Sequence, residues 1–307
     1  MKSKFFKTFV LIIGFLILML ILNIFWKNPE KDVIFKIRLP RFFLAVIVGM
    51  ALAGGGVIYQ GVLRNPLADP YLIGSSSGSA FGFMLCYLFG LSKIPFLPNI
   101  FAFIFSIGTV LFVIKVSKRY GKVSIFNLIL AGVVTSIFLS AAVILFVTLK
   151  TKEAYSVLFW LMGDLGEMDL RLIITSGFLI FISLILLYKK TLKLNAISLG
   201  EEHAYYFGVD IEKLKMELFI ISSILVSSCV SVSGTIGFVG LIVPHFIRIK
   251  YSTDNRILFP LSVLAGGFFL PFCDFMARFI SYPYEIPVGV ITSIIGAPYF
   301  LFQLKRR

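Results

Sequence analysis

Apolar runs separated by short charged breaks follow one another from end to end of this chain. A bilayer core of roughly 30 Å takes about 20 helical residues to cross, and the runs have about that length. The pattern predicts spans at about 8–26, 42–63, 74–91, 96–116, 124–148, 171–189, 214–234, 237–249, 257–280 and 286–304. The expected fold is therefore all-α: a polytopic membrane protein of about ten transmembrane helices, forming a single domain over 1–307. The run at 237–249 is short for a full crossing. The first run follows Lys2, Lys4 and Lys7 as a secretory signal would, but it is longer than a signal core and lacks a small-residue cleavage site. It reads as an uncleaved first helix.

Four stretches break the pattern. Arg38-Leu39-Pro40-Arg41 opens a span whose one strongly polar side chain is Gln60, and Arg64-Asn65-Pro66-Leu67-Ala68-Asp69-Pro70 and Gly74-Ser75-Ser76-Ser77-Gly78-Ser79 follow. Irregular backbone of this kind cannot face lipid, so it is buried in protein or lines a wet cavity. Gly54, Gly55 and Gly56 either let helices approach or leave room beside them. The second stretch runs from Ser233 to Arg248. Its Gly234, Gly237, Gly240 and Pro244 predict a broken helix beside a pathway, and His245 reads as a histidine bonded to a freed backbone carbonyl rather than a proton relay. The third, Tyr155 to Gly166, is too short to span. It predicts a helix lying at the outer interface with Trp160 at headgroup depth.

The fourth is the one long inner loop, Leu194 to Asp210. Gly200 and Gly208 punctuate it into two short helices, with Leu199, Ala204 and Phe207 available as an apolar face. It either transmits movement from a cytosolic partner or is an ordinary capped loop.

Composition removes several function classes. With 59% hydrophobic residues, 14% charged and a mean hydropathy of +0.98, no soluble domain fits. No GxxxxGK[ST] phosphate loop occurs, so any ATP hydrolysis belongs to another chain. The net charge of +14 is scattered through short loops, which suits lipid headgroups and not nucleic acid. Nineteen of the 29 Lys and Arg fall on one side of the predicted topology, placing both termini in the cytoplasm. Half of the outer charge gathers at Lys27, Lys31, Lys36, Arg38 and Arg41, as either a docking site for an acidic partner or a snorkelling rim. Cys86, Cys229 and Cys273 lie in apolar runs and only two histidines exist, so neither a disulfide framework, a metal site nor a cofactor is expected. Asp274 is the one carboxylate clearly within a span, and its spacing from Arg278 predicts an ion pair. That leaves an ion-driven transporter without its relay, and a membrane enzyme without its cluster of acids and histidines.

Taken together, the Arg38–Gly82 pattern, Gly234-x-Ile236-x-Phe238-x-Gly240-Leu241-x-x-Pro244-His245-x-x-Arg248, Glu285-Ile286-Pro287-Val288-Gly289 and Ile295-Gly296-Ala297-Pro298 resemble the FecCD family. These are permeases of ATP-driven importers for iron-siderophores, haem and cobalamin. The resemblance implies the type II permease fold of ABC importers, in the cell membrane. It also implies a homodimer around one pathway, two copies of a cytosolic ATPase, and an extracellular or lipid-anchored substrate-binding protein. Arg38, Arg41 and Arg278 would receive glutamates of that binding protein. Trp160-Leu161-Met162-Gly163 would join the outer docking surface. Asn195, Leu199, Gly200, Glu201, Ala204 and Gly208 would couple to the ATPase, with His203 a solvated contact. Gln60, Asn65, Pro66, Ser124, Gly237, Gly240, Pro244 and His245 would form the pathway or gate. Ile125 and Phe126 depart from the small polar gate residues of cobalamin permeases. The implied cargo is an iron(III)-siderophore, with haem or cobalamin as alternatives.

Overall fold

The computed structural model describes residues 2–305 apart from 28, 120, 150, 167, 168 and 283, with side chains described except at 2–9, 151–154, 201, 203, 304 and 305. Helix α1 (Lys2–Phe25) is followed by α2 (Lys31–Val33), a π-helical turn over Ile34–Arg38 and α3 (Leu39–Val62) in one unbroken path. Then come α4 (Ser75–Leu88), α5 (Leu97–Ser117), a small antiparallel hairpin of β1 (Lys118–Arg119) and β2 (Lys122–Val123), α6 (Ile125–Leu149), α7 (Thr151–Leu161) and α8 (Leu170–Tyr188). The chain continues with α9 (Thr191–Leu199), α10 (Glu201–Tyr206), α11 (Ile211–Ser233), α12 (Val239–Lys250), α13 (Asn255–Ile280) and α14 (Val288–Lys305).

Each of the ten predicted spans coincides with one of these helices. Among the described residues, six helical stretches are long and apolar enough to cross a membrane: Lys31–Val62, Leu97–Ser117, Ile125–Leu149, Leu170–Tyr188, Ile211–Ser233 and Asn255–Ile280. Val10–Phe25 and Val288–Gln303 are shorter apolar helices. At about 1.5 Å per residue, α4 with 14 residues and α12 with 12 do not reach across alone.

Pro40 explains the π-helical turn. It has no N–H for the carbonyl four residues back, and its ring would clash there. The helix widens instead, and Leu39 donates to Ile34 O. At the other end, the predicted breakers act as such: Asn65 N–H returns to Gln60 O at 3.1 Å. The Asn65 and Asp69 side chains accept from Leu67 and Tyr71 N–H at 2.9 and 2.8 Å.

Helix α3 is the buried axis of the molecule, with α13, α12, α11 and α8 around it. Two glycine crossings bring backbones into contact. A Cβ on Gly49 would lie 2.1 Å from Gly266 O, and one on Gly56 would lie 1.8 Å from Gly240 O. Only glycine permits either approach. By contrast, α6 has just 17% of its apolar window buried and presents Leu130, Val134, Ile137, Phe138 and Leu145 outward.

Trp160 packs inside the protein rather than standing at an open surface. Its ring stacks on Phe83 with centroids 4.3 Å apart and planes at 11°, and it is buried. Behind it, Gly163, Gly234 and Gly289 press against the backbones of Thr235, Trp160 and Met162 respectively. This clamp fastens the end of α7 to the rest of the protein.

Candidate functional site

One polar joint gathers Arg41 and Arg278 directly and Arg38 through the end of α1. Asp274, on α13, accepts from Arg41 Nε at 2.9 Å and from Arg278 at 3.0 Å. Arg41 also reaches Glu285 at 2.6 Å. Arg38 takes a different partner set, donating to the carbonyls of Asn23, Ile24 and Trp26 at 3.3, 3.0 and 2.7 Å. These carbonyls lie at and just beyond the C-terminal end of α1, where a cation is stabilised by the helix dipole. Arg278 bonds Asn23 as well, so α1, α3 and α13 meet in one polar joint. Asp274 and Arg41 are buried, Arg38 and Arg278 are half-buried, and Glu285 is exposed. Any incoming carboxylate thus meets Arg38, Arg278 and the Glu285 edge before it meets Arg41.

The pathway candidates separate into two groups. Pro244 cannot donate to Gly240 O within α12, and Gln60 supplies the missing hydrogen from α3: its Nε2 lies 3.3 Å from Gly240 O and 3.3 Å from Leu241 O. Gln60 Oε1 in turn accepts from Arg248 at 3.1 Å. The His245 ring packs against Tyr299 and Phe300. Gln60, Gly240, Pro244 and His245 are therefore a buried joint between α3 and α12, and the carbonyl freed by Pro244 is met by Gln60. Gly237 differs: it borders a cavity of about 430 Å³ with Leu161, Met162, Thr235, Gly289 and Ser293. The sequence reading missed Thr235 and Ser293 there, although both are polar residues beside the glycine motifs. Asn65 is exposed and Pro66 half-buried at the end of α3, while Ser124 accepts from Asn127 N–H at 3.4 Å and caps α6.

In the long loop, Gly200 (φ 131°) and Gly208 (φ 70°) bound α10, as the punctuation predicts. Leu194 and Ile197 are buried, and Asn195 ties α9 to α13: its Nδ2 donates to Asp254 at 2.7 Å and its Oδ1 accepts from Asn255 N–H at 2.8 Å. The Arg256 guanidinium, with help from Asn195, holds the Asp254 carboxyl down at about 2. Ala204 does not belong to the outward face; it is fully buried, with its carbonyl accepting from Val209 N–H at 3.1 Å. The exposed face is Leu199, Tyr205, Tyr206 and Phe207, each at least 70% accessible. The Tyr205-Tyr206-Phe207 run in a long loop was the available signal for the two tyrosines. The side chains of Glu201 and His203 lie outside the described residues.

Among the described residues no group of three His, Cys, Asp or Glu is placed to hold a metal ion, and the three cysteines are free and buried. With this geometry in hand, comparison with known proteins decides the family: a model of the FecCD transport family matches residues 5–306. The chain belongs to the FecCD transport family. This FecCD chain is 39% identical over 293 residues to the hemin transport system permease protein HmuU of Yersinia pestis, covering 92% of this chain and 87% of that one. It is 36% identical over 284 residues to the molybdate import system permease protein MolB of Haemophilus influenzae, covering 90% and 83%. A solved structure described as a metal-chelate type ABC transporter in an inward-facing conformation superposes with a TM-score of 0.89 at 31% identity, covering 99% of this chain and all of that one. The FecCD chain is thus a multi-pass membrane permease of the ABC importer class.

Proposed function

We propose that this chain is the translocation subunit of an ATP-driven importer, acting as a homodimer around a single pathway. Its leading cargo is an iron(III)-siderophore, with haem or cobalamin as the alternatives within the same family. Two copies of a cytosolic ATPase seat on α9 and α10, both termini lie in the cytoplasm, and an extracellular or lipid-anchored binding protein delivers cargo to the outer arginine cluster. The chain itself makes and breaks no covalent bonds. The observation that carries this reading is the aromatic face of α10, held out from the protein while Leu194, Ile197 and Asn195 anchor α9 beneath it. ATP closes the ATPase pair, the seat moves with it, and the two permease copies rock to change which side is open.

Co-purification with the candidate ATPase tests the reading. The parent chain should retain the ATPase, and a Gly200→Pro, Glu201→Lys variant should lose it, because Gly200 occupies a backbone conformation closed to proline. A parent chain that purifies alone and still transports points instead to an ion-driven carrier.

Docking at the outer cluster has its own test. Arg38→Glu reverses the charge that an incoming glutamate meets first while leaving the Asp274 pairs in place. Capture of the binding protein should weaken by about tenfold or more, with membrane insertion intact. Unchanged capture removes Arg38 from the docking surface.

A further inference from the structure

The inner hairpin and the ATPase seat come from different halves of the chain, and one carboxylate joins them. Glu212, in the first turn of α11, accepts from the Val123 backbone N–H at 2.8 Å. Its other oxygen lies 3.1 Å from the Lys215 ammonium, whose side chain is 2% exposed. A buried ammonium holds a carboxylate firmly, so this pair fixes the direction in which Glu212 points. On one side, Glu212 follows closely on Gly208, the residue that closes α10. On the other, Val123 is followed by Ser124, which caps α6. Lys122, Tyr205, Tyr206, Val209 and Asp210 border a cavity of about 780 Å³ beside this link.

We infer that Glu212 is a positioning residue that carries displacement of the ATPase seat into α6 through the Val123 N–H. The inference rests on reading α9 and α10 as that seat. A charge-assisted bond to a backbone N–H transmits a push or pull because neither end swings on a long free side chain. α6 follows because so little of it is embedded in its own subunit. Loss of Glu212 leaves the ATPase bound and hydrolysing while α6 no longer responds.

The test uses the full chain with its ATPase in lipid nanodiscs. Phe126, in the first turn of α6 and 74% exposed, becomes the reporter through Phe126→Cys, since the native cysteines are buried. Maleimide labelling is compared without nucleotide and with ATP plus vanadate. The reporter chain should change its labelling rate by about fivefold or more. Adding Glu212→Ala with Lys215→Met should abolish that change while ATPase co-purification and ATP hydrolysis persist. The double substitution removes both charges, so no buried ammonium is left facing the vacated carboxylate site. Glu212→Gln keeps an acceptor for Val123 and should restore part of the response. A full nucleotide response in the double variant overturns the proposal. A silent reporter chain with ATPase bound also overturns it and leaves the seat reading standing; failure to bind the ATPase overturns both.

Discussion

Replacing Asp274 by asparagine is expected to lower the unfolding free energy by about 3–5 kcal/mol. Asp274 is 1% exposed and stands between two guanidinium groups, Arg41 and Arg278, that are themselves 8% and 12% exposed. An amide keeps the shape of the carboxylate but not its charge, so two cations remain in the interior facing each other. Glu285, at 53% exposure, reaches only one of them. The consequence extends to three helices, because α1 enters the same joint through Asn23. Thermal unfolding in detergent measures this, with Glu285→Gln as the comparison. That exposed partner should cost no more than about 1 kcal/mol. An Asp274→Asn protein that melts with the parent would remove the ionic joint from the account of the fold.

Alanine at Tyr206 and Phe207 is expected to do the reverse: weaken a partner strongly and leave the fold alone. The two side chains are 84% and 73% exposed, so truncation opens no internal void. An aromatic anchor in a well-packed interface contributes about 2 kcal/mol or more, roughly 30-fold in affinity. Titration of the ATPase subunit onto the purified permease reads that loss, and the melting temperature serves as control. Equal affinity for the parent and the double variant would move the seat away from this face. A matching fall in melting temperature would show that the aromatics pack within the subunit.

What the sequence revealed, and what it hid, follows from distance along the chain. Gly200 and Gly208 were legible as breaks because a positive φ is a local demand that glycine alone meets freely. Pro244 was equally legible as an interruption. Its remedy was not, because Gln60 lies 180 positions away and reads in isolation as a polar residue awaiting a pathway. The same holds for Arg41, whose burial depends on a carboxylate 233 positions on. The burial of Trp160 was hidden for the same reason, because its stacking partner Phe83 lies in α4. The inner hairpin escaped notice since strands of two residues have no periodicity to detect. Span positions survived because apolar length is a property of the segment itself. The registers between spans did not, because they are set by contacts.

The glycine crossings of α3 also bear on how such a permease can diversify. At Gly49 and Gly56 even one added carbon meets the neighbouring backbone, so these sites are closed to any larger residue. Where α6 faces outward, one apolar side chain can replace another without opening an internal void. A library of apolar residues over Leu130, Val134, Ile137 and Phe138 should retain folded members in abundance, whereas one over Gly49, Gly56, Gly240 and Gly266 should return almost only glycine.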